Sequence, residues 1–531
     1  MIQFGQQTDA QTLSQEVWDV IVIGTGIGGG TIGRALAEAG QRVLFLEKGP
    51  RGHRAEAHGL NDAVFLPEAR TVRGYWPDKL HALLNGRASD FYAPLGAGVG
   101  GSSVFYAATL ERPERHDLDH SDTRPHPTGG WPVGFDAMLP WYAQAARMYR
   151  LSGSPDPLSS EPEMPLRAPA PLSSGDAALK SAFEGSGLHP YHLHAAIQHL
   201  PGCASCMGRK CPRPCKMDGR SAGVEPALAT GQAQLLDRCD VTRLIGVGRE
   251  IAAVEAHRDG ETLTFRANRY VLAGGALGSP RLMLASANDS WPQGAGNGSG
   301  LVGRNLMFHM NEMLAIWPPR GAPDSGPSKA LSLRDLYHRD GQRFGTVQAM
   351  GIDAAYGEIV FYLNNMLERS GLRSLRFLRP LTRIPAALAA RLFGRAKIFV
   401  GLLEDLPYPE NRVLLDPGDH NRLAIDYTFH PELLQRRRAF RRAIRAAFRG
   451  QRKAFLGLTP ELNFGHPCGT LRFGLTPENS VLTPECRSHE IDNLYVVDAS
   501  FMPTSMGVNP SLTIAANALR VAAHMTSESV T

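Results

Sequence analysis

The sequence lacks a long hydrophobic run: no stretch of about 18 apolar residues occurs in the chain, so no transmembrane helix is expected. The first 16 residues are polar and do not contain the apolar centre of a signal peptide. Cysteine is scarce as well, with seven residues in 531, and we expect no disulfide framework. These absences together predict a cytoplasmic protein whose thiols are kept reduced.

Acidic residues are almost missing from two segments, although the whole chain carries a net charge of only +5. Residues 366–399 hold eight basic residues and one acidic residue, and residues 436–453 hold nine basic residues and no acidic one. The positive charge is therefore local. No pattern of aromatic residues among the basic ones argues for a nucleic-acid partner, and we expect none.

Glycine, by contrast, is abundant, with 56 residues in 531 against a usual share of about 7%. Three of these glycines, Gly24, Gly26 and Gly29, form a G-x-G-x-x-G turn after a buried strand predicted at residues 18–23. We expect Gly24 to permit the sharp turn and Gly26 to let the backbone approach a pyrophosphate. Gly29 would let the helix and strand pack closely.

The residues after this turn complete the pattern of a dinucleotide-binding unit. A helix is predicted at residues 31–39 and a second strand at residues 42–46, which ends at Glu47. The helix N-terminus offers N–H groups and the positive end of its dipole to phosphates. Glu47 is expected to accept hydrogen bonds from ribose hydroxyls and to repel a 2′-phosphate, which disfavours NADP. A second glycine cluster at residues 95–103 indicates a cofactor larger than a nicotinamide dinucleotide.

Further segments along the chain are predicted to be strands of the same α/β domain. Residues 241–247 and 262–266 are predicted to be hairpin strands, with a turn at residues 258–260. Residues 270–275 predict another buried strand, and residues 493–498 predict a strand that ends in an acid. Parts of one α/β domain therefore occur at the start, in the middle and at the end of the sequence.

Four motifs together make the sequence resemble the glucose–methanol–choline (GMC) oxidoreductase family, which binds FAD. They are the N-terminal G-x-G-x-x-G with Glu47, the G-x-G-x-G-G-S-S of residues 96–103, the H-P-x-G-T-x-R-x-G of residues 466–474, and the N-L-x-V-V-D-A-S…G-V-N-P of residues 493–510. The last motif resembles the cholesterol-oxidase and choline-oxidase branches. Residues 404–413 instead resemble sugar-acid and polyol dehydrogenases, so the branch stays open.

The resemblance implies an α/β protein with two domains, of which the second is α+β. A Rossmann-like FAD-binding domain is predicted to be built from three discontinuous segments, residues 15–115, 225–310 and 455–531. A substrate-binding domain with an antiparallel sheet and helices is predicted to comprise residues 116–224, including the cysteine-rich segment 203–215, and residues 311–454, including the basic segment 366–399.

The resemblance also implies which residues contact FAD. They are Gly24, Gly26, Gly29, Glu47, Gly98, Gly101, Ser102, Val241, Asp498 and Asn509. Many family members have Asn or His where this chain has Phe105 or Tyr106, and in some branches a histidine there holds the flavin covalently. Because this chain has no histidine there, we expect dissociable FAD.

The reaction implied is oxidation of an alcohol to a carbonyl, with hydride transfer to flavin N5 and loss of the hydroxyl proton. His466 lies at the family's base position, and imidazole, with an ordinary pKa near 6.5, accepts a proton near neutral pH. Asn509 lies at the second position and would hold the alcohol oxygen or the flavin edge. It also suits a helix N-cap before Pro510, and the two roles are compatible. Glu404 is interpreted either as an auxiliary acid or base or, preferably, as a paired or solvated residue at a strand end.

Two alternatives to alcohol oxidation stay open on sequence grounds. One is a flavin-dependent lyase or decarboxylase on the same scaffold, without net oxidation. The other is a binding or electron-transfer protein without alcohol chemistry. For the oxidoreductase, the expected substrate is a small alcohol, with a hydrophobic one among the options, and the electron acceptor is oxygen, a quinone or a protein.

Four cysteines, Cys203, Cys206, Cys211 and Cys215, lie within 13 residues. Such spacing in a cytosolic protein favours metal over disulfides. Part of the spacing is similar to a segment in some bacterial FAD-dependent sugar dehydrogenases of this family, where cysteines hold an iron–sulfur cluster. Iron–sulfur, zinc, and free or disulfide-bonded structural thiols therefore all remain as interpretations.

The basic segment 366–399 has leucines and arginines on different faces of a helical pattern, interrupted by Pro380 and Pro385. One interpretation is a lid, or a peripheral contact with the inner membrane surface, through which a hydrophobic alcohol enters. The other, slightly favoured, is a helix of the substrate domain with a solvated arginine face. Residues 436–453 predict an ordinary surface helix, with Phe440, Ile444 and Phe448 on one side.

Overall fold

The computed structural model describes residues 9–52, 66–203, 208, 210–322, 329–351, 363, 381–457 and 459–528. Within them the α-helices are α1 (Ala10–Gln15), α2 (Ile27–Glu38), α3 (Pro67–Arg73), α4 (Phe135–Met148), α5 (Ser174–Glu184), α6 (Glu225–Ala229), α7 (Gly275–Ala285), α8 (Arg383–Phe393), α9 (Pro431–Ala447) and α10 (Ser511–Glu528). The strands are β1 (Val17–Ile23), β2 (Val43–Leu46), β3 (Leu80–Leu84), β4 (Arg87–Phe91), β5 (Tyr191–His192), β6 (Ala233–Leu236), β7 (Asp240–Val247), β8 (Glu250–Arg258), β9 (Glu261–Leu272), β10 (Met310–Ile316), β11 (Leu331–Leu333), β12 (His338–Arg339), β13 (Gln342–Arg343), β14 (Val347–Ala349), β15 (Lys397–Leu403), β16 (Arg412–Asp416), β17 (Asp419–Tyr427), β18 (Lys453–Phe455) and β19 (Leu494–Val496).

A parallel sheet lies at the centre of the fold, with the strand order β6, β2, β1, β9, β19. β1 and β2 are almost wholly buried because α2 and α10 pack on the sheet, as expected for parallel strands made of Val, Ile and Leu. The strands come from the beginning, middle and end of the sequence. The predicted Rossmann-like fold from discontinuous segments is thus confirmed, whereas the residue limits given for the domains stay a prediction.

The prediction that residues 241–247 and 262–266 form a hairpin was wrong, because strand β8 lies between them in the sequence and pairs with both. The turn at residues 258–260 joins β8 to β9, and β8 also pairs with β7. Asp259 and Gly260 both have positive φ, as a tight two-residue hairpin turn requires. The two strands predicted at residues 262–266 and 270–275 belong to one strand, β9. Its first half pairs in the antiparallel hairpin, and its second half lies in the parallel sheet.

A second, six-stranded sheet has the order β18, β10, β15, β14, β11, β5, and all of its pairs are antiparallel. Helix α9 covers it: Phe440 and Ile444 are fully buried in the same hydrophobic cluster as strand residues Phe399 and Leu403. The prediction of an antiparallel sheet with helices beyond the Rossmann-like part is therefore confirmed. A four-stranded sheet, β16-β17-β3-β4, and the β12–β13 hairpin complete the sheets of the described residues.

The basic helix α9 is less exposed than its composition suggests. Arg437 donates to the buried Glu312, and Arg436 donates to the backbone carbonyls of Arg343 and Glu404. These two arginines are therefore buried in ion pairs and hydrogen bonds, whereas Arg438, Arg442 and Arg445 are exposed, as expected for the predicted surface helix.

Of the basic segment, residues 366–380 lie outside the described residues, together with the arginines Arg369, Arg373, Arg376 and Arg379. The described remainder forms α8 and the start of β15. On α8 the side chains of Ile384, Leu388 and Leu392 follow each other at four-residue spacing and are 70%, 61% and 52% exposed. Among the described residues, no helix is long and apolar enough to cross a membrane.

Candidate active site

A cavity of about 570 Å³ extends from the glycine turn of the parallel sheet to the six-stranded sheet. The predicted site residues that line it are Gly24, Gly26, Glu47, Gly101, Ser102, Val241, His466, Asp498 and Asn509. The structure therefore brings together motifs that lie more than 400 residues apart in the sequence. Gly29 and Gly98 were also predicted to contact the cofactor, but neither belongs to the cavity wall.

The turn after β1 has the geometry of a phosphate-binding loop. Gly24 has φ +98°, a left-handed conformation, and a Cβ there would lie 2.5 Å from the Ala273 carbonyl oxygen. The first hydrogen bond of α2 runs from the Gly30 N–H to the Gly26 carbonyl, so the N–H groups of residues 27–29 have no partner within the helix. A Cβ added to Gly26 would have no atom within 4 Å. Space and unpaired donors thus coincide where a pyrophosphate would lie.

Gly29 and Gly98 do not line the cavity, because the backbone of neighbouring segments packs closely against both residues. A Cβ on Gly29 would lie 2.1 Å from the Gly24 carbonyl oxygen, so this glycine lets α2 pack against the turn. A Cβ on Gly98 would lie 3.0 Å from the Pro50 carbonyl oxygen and 3.2 Å from Gly74 Cα. Both residues allow the close backbone packing of the loops that form the cavity, and their contact with a cofactor stays a prediction.

Glu47 ends β2 at the cavity wall and is tied to the glycine turn. Its carboxylate accepts hydrogen bonds from the Thr25 N–H at 3.1 Å, from Thr25 Oγ1 at 2.6 Å and from the Gly49 N–H at 3.0 Å. Burial raises its pKa to about 7, and these hydrogen bonds act in the opposite direction. The sequence did not indicate this second task, in which the acid stabilises the turn.

Asp498 occupies a similar position after β19. It accepts hydrogen bonds from the Gly275 N–H at 2.9 Å, the Ser279 hydroxyl at 2.5 Å and the Ser500 N–H at 2.9 Å. Burial raises the pKa of this carboxyl, and the hydrogen bonds from Ser279 and Ser500 oppose the shift. Asp498 therefore connects the start of α7 to the segment after β19 at the cavity wall.

His466 lies where the cavity reaches the second sheet, and its hydrogen bonds determine its tautomer. Its Nδ1 is 3.1 Å from His309 Nδ1 and 3.1 Å from Asn463 Nδ2. His309 Nε2 is 2.9 Å from the Met506 carbonyl oxygen and must carry the proton that it donates there. Burial lowers the pKa of His309 to about 4, so at neutral pH its Nδ1 carries no proton and accepts one hydrogen bond.

In the hydrogen bond with His309 the donor is the Nδ1–H of His466, because Nδ1 of a neutral His309 offers only a lone pair. Asn463 favours the other tautomer, since its Oδ1 accepts from the Gly465 N–H and its Nδ2 donor faces His466 Nδ1. We assign the tautomer that satisfies His309. Nε2 of His466 is then unprotonated, and it makes no hydrogen bond among the described residues. Burial, followed by His309 and Lys329, holds the pKa of His466 well below its usual range. The ring is therefore neutral at pH 7, with one basic nitrogen unused by the protein.

Asn509 directly precedes Pro510 and α10, and Gln348 fixes the orientation of its amide. Gln348 Nε2 donates to Asn509 Oδ1 at 3.0 Å. The Asn509 Nδ2 donors are therefore left for a ligand in the cavity that both residues line. The first hydrogen bond of α10 runs from the Ile514 N–H to the Pro510 carbonyl, so Pro510 rather than Asn509 is the helix N-cap. The N-cap interpretation of Asn509 was wrong.

Six further side chains of the wall have buried polar atoms without a hydrogen-bond partner among the described residues. Trp76 Nε1, Thr109 Oγ1 and Arg281 Nε are three of these atoms, and Asn311 Oδ1, Lys329 Nζ and Gln348 Oε1 are the others. No sequence motif marked the last three residues or His309. Only Asn463, three residues before His466, lies near enough in sequence to have been noticed. The others reach the site through the second sheet, for which no sequence motif was visible.

Glu404, which follows β15, is buried and does not line the cavity. It forms a two-pronged ion pair with Arg343 at 2.7 and 3.2 Å, and Arg343 also donates to Asp117 at 3.1 Å. Arg343 is the main partner that lowers the pKa of Glu404 against the effect of burial. The favoured interpretation, a paired strand-end residue, is confirmed.

Cys206 lies outside the described residues, whereas Cys203 is half-buried and Cys211 and Cys215 are buried. Burial raises the pKa of Cys215, and the nearby Cys203 and Cys211 raise it further. In the part of the chain that the structure describes, no group of three or more His, Cys, Asp or Glu side chains is arranged to hold a metal ion. Metal binding by all four cysteines stays a prediction.

Comparison with known sequences supports the resemblance drawn from the motifs. Two family profiles described as GMC oxidoreductase match residues 19–311 and 407–518. The chain is 30% identical to 6′′′-hydroxyparomomycin C oxidase of Streptomyces lividus, over 97% of this chain and 93% of that protein. It is 27% identical to 2-methyl-1,2-propanediol dehydrogenase of Mycolicibacterium austroafricanum, over 96% and 95% of the two chains.

Comparison with solved structures shows the same fold. Pyridoxine 4-oxidase from Mesorbium loti matches with a TM-score of 0.63 at 20% identity, over 96% of this chain and 99% of that one. Formate oxidase of Aspergillus oryzae RIB40, in a study of FAD modification, matches with a TM-score of 0.66 at 16% identity, over 97% and 98%.

The residues of the cavity fit FAD. The unpaired N–H groups at the start of α2, the open side of Gly26 and the carboxylate of Glu47 line one end, and His466 lines the other. With the family profiles over more than half of the sequence, these observations lead to one conclusion. The chain belongs to the GMC oxidoreductase family and is an FAD-dependent alcohol oxidoreductase of the GMC type.

Proposed function

We propose that this protein oxidises the CH–OH group of a small hydroxylated molecule, with His466 as the catalytic base and Asn509 as its partner in holding the alcohol. The observation that carries the proposal is the His466–His309 contact of 3.1 Å, which leaves an unprotonated nitrogen facing the cavity. When bound, FAD supplies the hydride acceptor for the carbon atom.

His466 accepts the hydroxyl proton at Nε2. Its ring is neutral at pH 7 because burial disfavours the charged form, so the base needs no prior deprotonation. During the transfer, the Nδ1–H bond to His309 keeps the ring in one orientation. Positive charge then develops on an imidazole that the site disfavours, and the proton is released readily once the product leaves.

Asn509 donates from Nδ2 to the alcohol oxygen or the flavin edge, and Gln348 prevents its amide from turning. The N-terminus of α10 begins directly behind it, so its dipole favours negative charge at this end of the cavity. Both effects stabilise an oxygen that is losing its proton.

We further propose that FAD is bound without a covalent link. Phe105 and Tyr106 occupy the positions where some family members have histidine. Phe105 stacks on Tyr75 with 3.9 Å between ring centroids, and the Tyr106 hydroxyl donates to the Met217 carbonyl. Phe105 has no nucleophilic atom that could bond a flavin, and the Tyr106 hydroxyl is held by the Met217 carbonyl. Precipitation of the protein with acid should therefore release all of the flavin into solution.

The test of the catalytic proposal is His466→Ala, with the exposed His420→Ala as the matched control. General acid–base catalysis contributes roughly 10²–10⁴-fold, so the rate of anaerobic flavin reduction by an alcohol should fall by at least about 100-fold in His466→Ala. The control should reduce flavin at the wild-type rate. An unchanged rate in His466→Ala would remove His466 from the mechanism. Retention of the oxidised flavin band during product formation would instead indicate a lyase.

The proposed oxidation also requires an electron acceptor, which is oxygen, a quinone or a protein reached through an iron–sulfur cluster. The relatives that the chain matches include proteins named oxidases and proteins named dehydrogenases, among them the fructose dehydrogenase large subunit of Gluconobacter japonicus at 25% identity. Iron and sulfide analysis, with reoxidation by oxygen or by a quinone, distinguishes these cases. Iron in wild-type protein that disappears in Cys215→Ser would support a cluster at Cys203–Cys215.

We also propose a peripheral membrane contact through α8, one of the two interpretations of the basic segment, and the exposed row Ile384, Leu388 and Leu392 supports it. Sedimentation with anionic phospholipid vesicles tests it. Wild-type protein should sediment with the vesicles, and Leu388→Glu should weaken the association. Equal sedimentation of both proteins would refute a contact through α8.

A further inference from the structure

Lys329 is a basic side chain of the cavity wall that has no part in the proposed reaction. Its Nζ is buried, lines the same cavity as His466 and has no hydrogen-bond partner among the described residues. It lies near enough to His466 to contribute to lowering the pKa of that ring. A buried ammonium group without a partner is costly, and such a cost is ordinarily offset by a bound ligand or by loss of the charge.

The protein supplies little to balance this charge. Glu111 acts on Lys329 through space, but its carboxylate already binds Arg334 at 3.1 Å and accepts from the His194 N–H at 2.9 Å. Lys216 adds a second positive charge nearby. Burial lowers the pKa of Lys329 to about 7, and Lys216 lowers it further while Glu111 raises it.

Charge is sparse on the part of the cavity wall that comes from the second sheet and from the segment around His466. Between residues 311 and 467, the described residues that line the cavity are Asn311, Lys329, Gln348, Met350, Val400, Leu402, Leu423, Asn463, Gly465, His466 and Pro467. Lys329 is therefore the only residue of that set with a formal charge when His466 is neutral. It determines the sign of the charge that this end of the cavity accepts.

Two amide oxygens complete the pattern. Asn311 Oδ1 and Gln348 Oε1 are buried without a donor among the described residues, and both side chains line the cavity. An amide oxygen accepts from hydroxyl groups, whereas an ammonium group donates to oxygen and prefers a carboxylate. The two amide oxygens therefore match hydroxyl groups of a ligand, and Lys329 Nζ matches one negatively charged group.

We propose that Lys329 is the binding site for a carboxylate of the substrate, and that the substrate is a polyhydroxylated acid whose hydroxyl groups bind Asn311 and Gln348. This proposal rests on the proposed alcohol oxidation and names its substrate class. It also separates this chain from its aminoglycoside-oxidising relatives, because an amine on the substrate would meet Lys329 with like charge.

The first experiment measures binding to the FAD-loaded protein by titration calorimetry at pH 8. The probes are glucuronate, glucose and 6-amino-6-deoxyglucose, which share a pyranose ring and differ in charge at C6. Glycerate, glycerol and 3-amino-1,2-propanediol form a smaller set. Wild-type protein should bind the carboxylate of either set at least about tenfold more tightly than the neutral compound, and the amine least tightly.

Lys329→Met should abolish this preference, whereas its affinity for the neutral compounds should stay within about threefold of wild type. Lys329→Arg should retain the preference. The matched control is Lys180→Met, at a half-buried lysine that is ion-paired with Glu184 and does not line the cavity. A second readout is proton uptake. Because Lys329 is mostly neutral at pH 8, carboxylate binding should take up close to one proton in wild-type protein and none in either Lys329 variant, measured in buffers of different ionisation enthalpy.

A wild-type protein that shows no carboxylate preference in either set overturns the proposal, as does a preference that survives in Lys329→Met. Equal weakening of all three probes in Lys329→Met also refutes it, because a purely structural lysine predicts that result. These readouts are binding measurements. Failure of every alcohol to reduce the flavin would therefore refute the proposed function separately and would leave the charge preference measurable.

Discussion

The pairing of His309 with His466 makes a prediction that separates a positioning role from a structural one. In His309→Gln, the amide reaches toward the Met506 carbonyl and can replace the hydrogen bond from Nε2, but no acceptor remains beside His466 Nδ1. In His309→Asn, the shorter amide lies near the former Nδ1 and can still accept from His466. His309→Gln therefore keeps the hydrogen bond to Met506 and loses the one from His466, whereas His309→Asn keeps the one from His466.

The magnitude follows from the two hydrogen bonds at His466 Nδ1. Loss of the acceptor removes about 1 kcal/mol that favours the Nδ1–H tautomer. Asn463 Nδ2, 3.1 Å from His466 Nδ1, can donate to that atom only in the opposite tautomer, and it can do so with or without His309, so it does not add to the change. A change of about 1 kcal/mol lowers the ratio of the tautomer with a basic Nε2 to the opposite tautomer by roughly fivefold.

Rapid-mixing measurement of anaerobic flavin reduction tests this reasoning. His309→Gln should reduce the limiting rate by roughly 3–5-fold, with little change in the substrate concentration at half-saturation, because the alcohol-binding groups are intact. His309→Asn should retain most of the rate. If both variants lose the same fraction of the rate, or if the loss follows their thermal unfolding temperatures, the tautomer argument is wrong.

Three further predictions concern the base, the cofactor and the fold. The acid limb of kcat/KM for a neutral alcohol should lie below pH 6.5, since burial lowers the pKa of His466 and the base stays unprotonated until that lower value is reached; a limb at pH 7 or above would contradict this. Gly26→Ala should leave the thermal stability of the FAD-free protein unchanged and weaken FAD binding at least about tenfold, because its Cβ enters open space reserved for the cofactor; unchanged affinity in a fluorescence titration would show that no phosphate approaches there. Arg343→Met should reduce the free energy of unfolding by about 3–5 kcal/mol, measured by denaturant titration, as it leaves the buried carboxylates of Glu404 and Asp117 unpaired; a loss below about 1 kcal/mol would mean that water enters the site.

The sequence predicted the structure correctly where the residues that a feature requires lie close together along the chain. The turn at Gly24–Gly29 requires a left-handed residue, an open side and a close backbone approach, and only glycine meets all three conditions. An apolar run of β-branched residues before the turn and an acid after β2 complete a unit whose parts lie close together in sequence. The family motifs around His466 and Asn509 extended the prediction to the opposite end of the chain.

The sequence was misleading where a residue's role depends on a partner far along the chain. Strand β8 was overlooked because its alternation is weak, and β9 was divided in two because it changes neighbours halfway along its length. Asn509 was interpreted as a helix cap from the following proline, whereas its amide is held by Gln348 from another sheet.

By itself, then, the sequence determined a flavin-binding α/β fold, the glycine turn and the identity of a candidate base, since each depends on residues whose spacing carries the physical requirement. Only the tertiary structure decided the tautomer of His466, the orientation of the Asn509 amide and the charge at the substrate end. These depend on His309, Gln348 and Lys329, which reach the cavity on separate segments of the chain. Hydrogen-bond direction and burial arise from such distant contacts, and neither leaves a periodic pattern in the sequence.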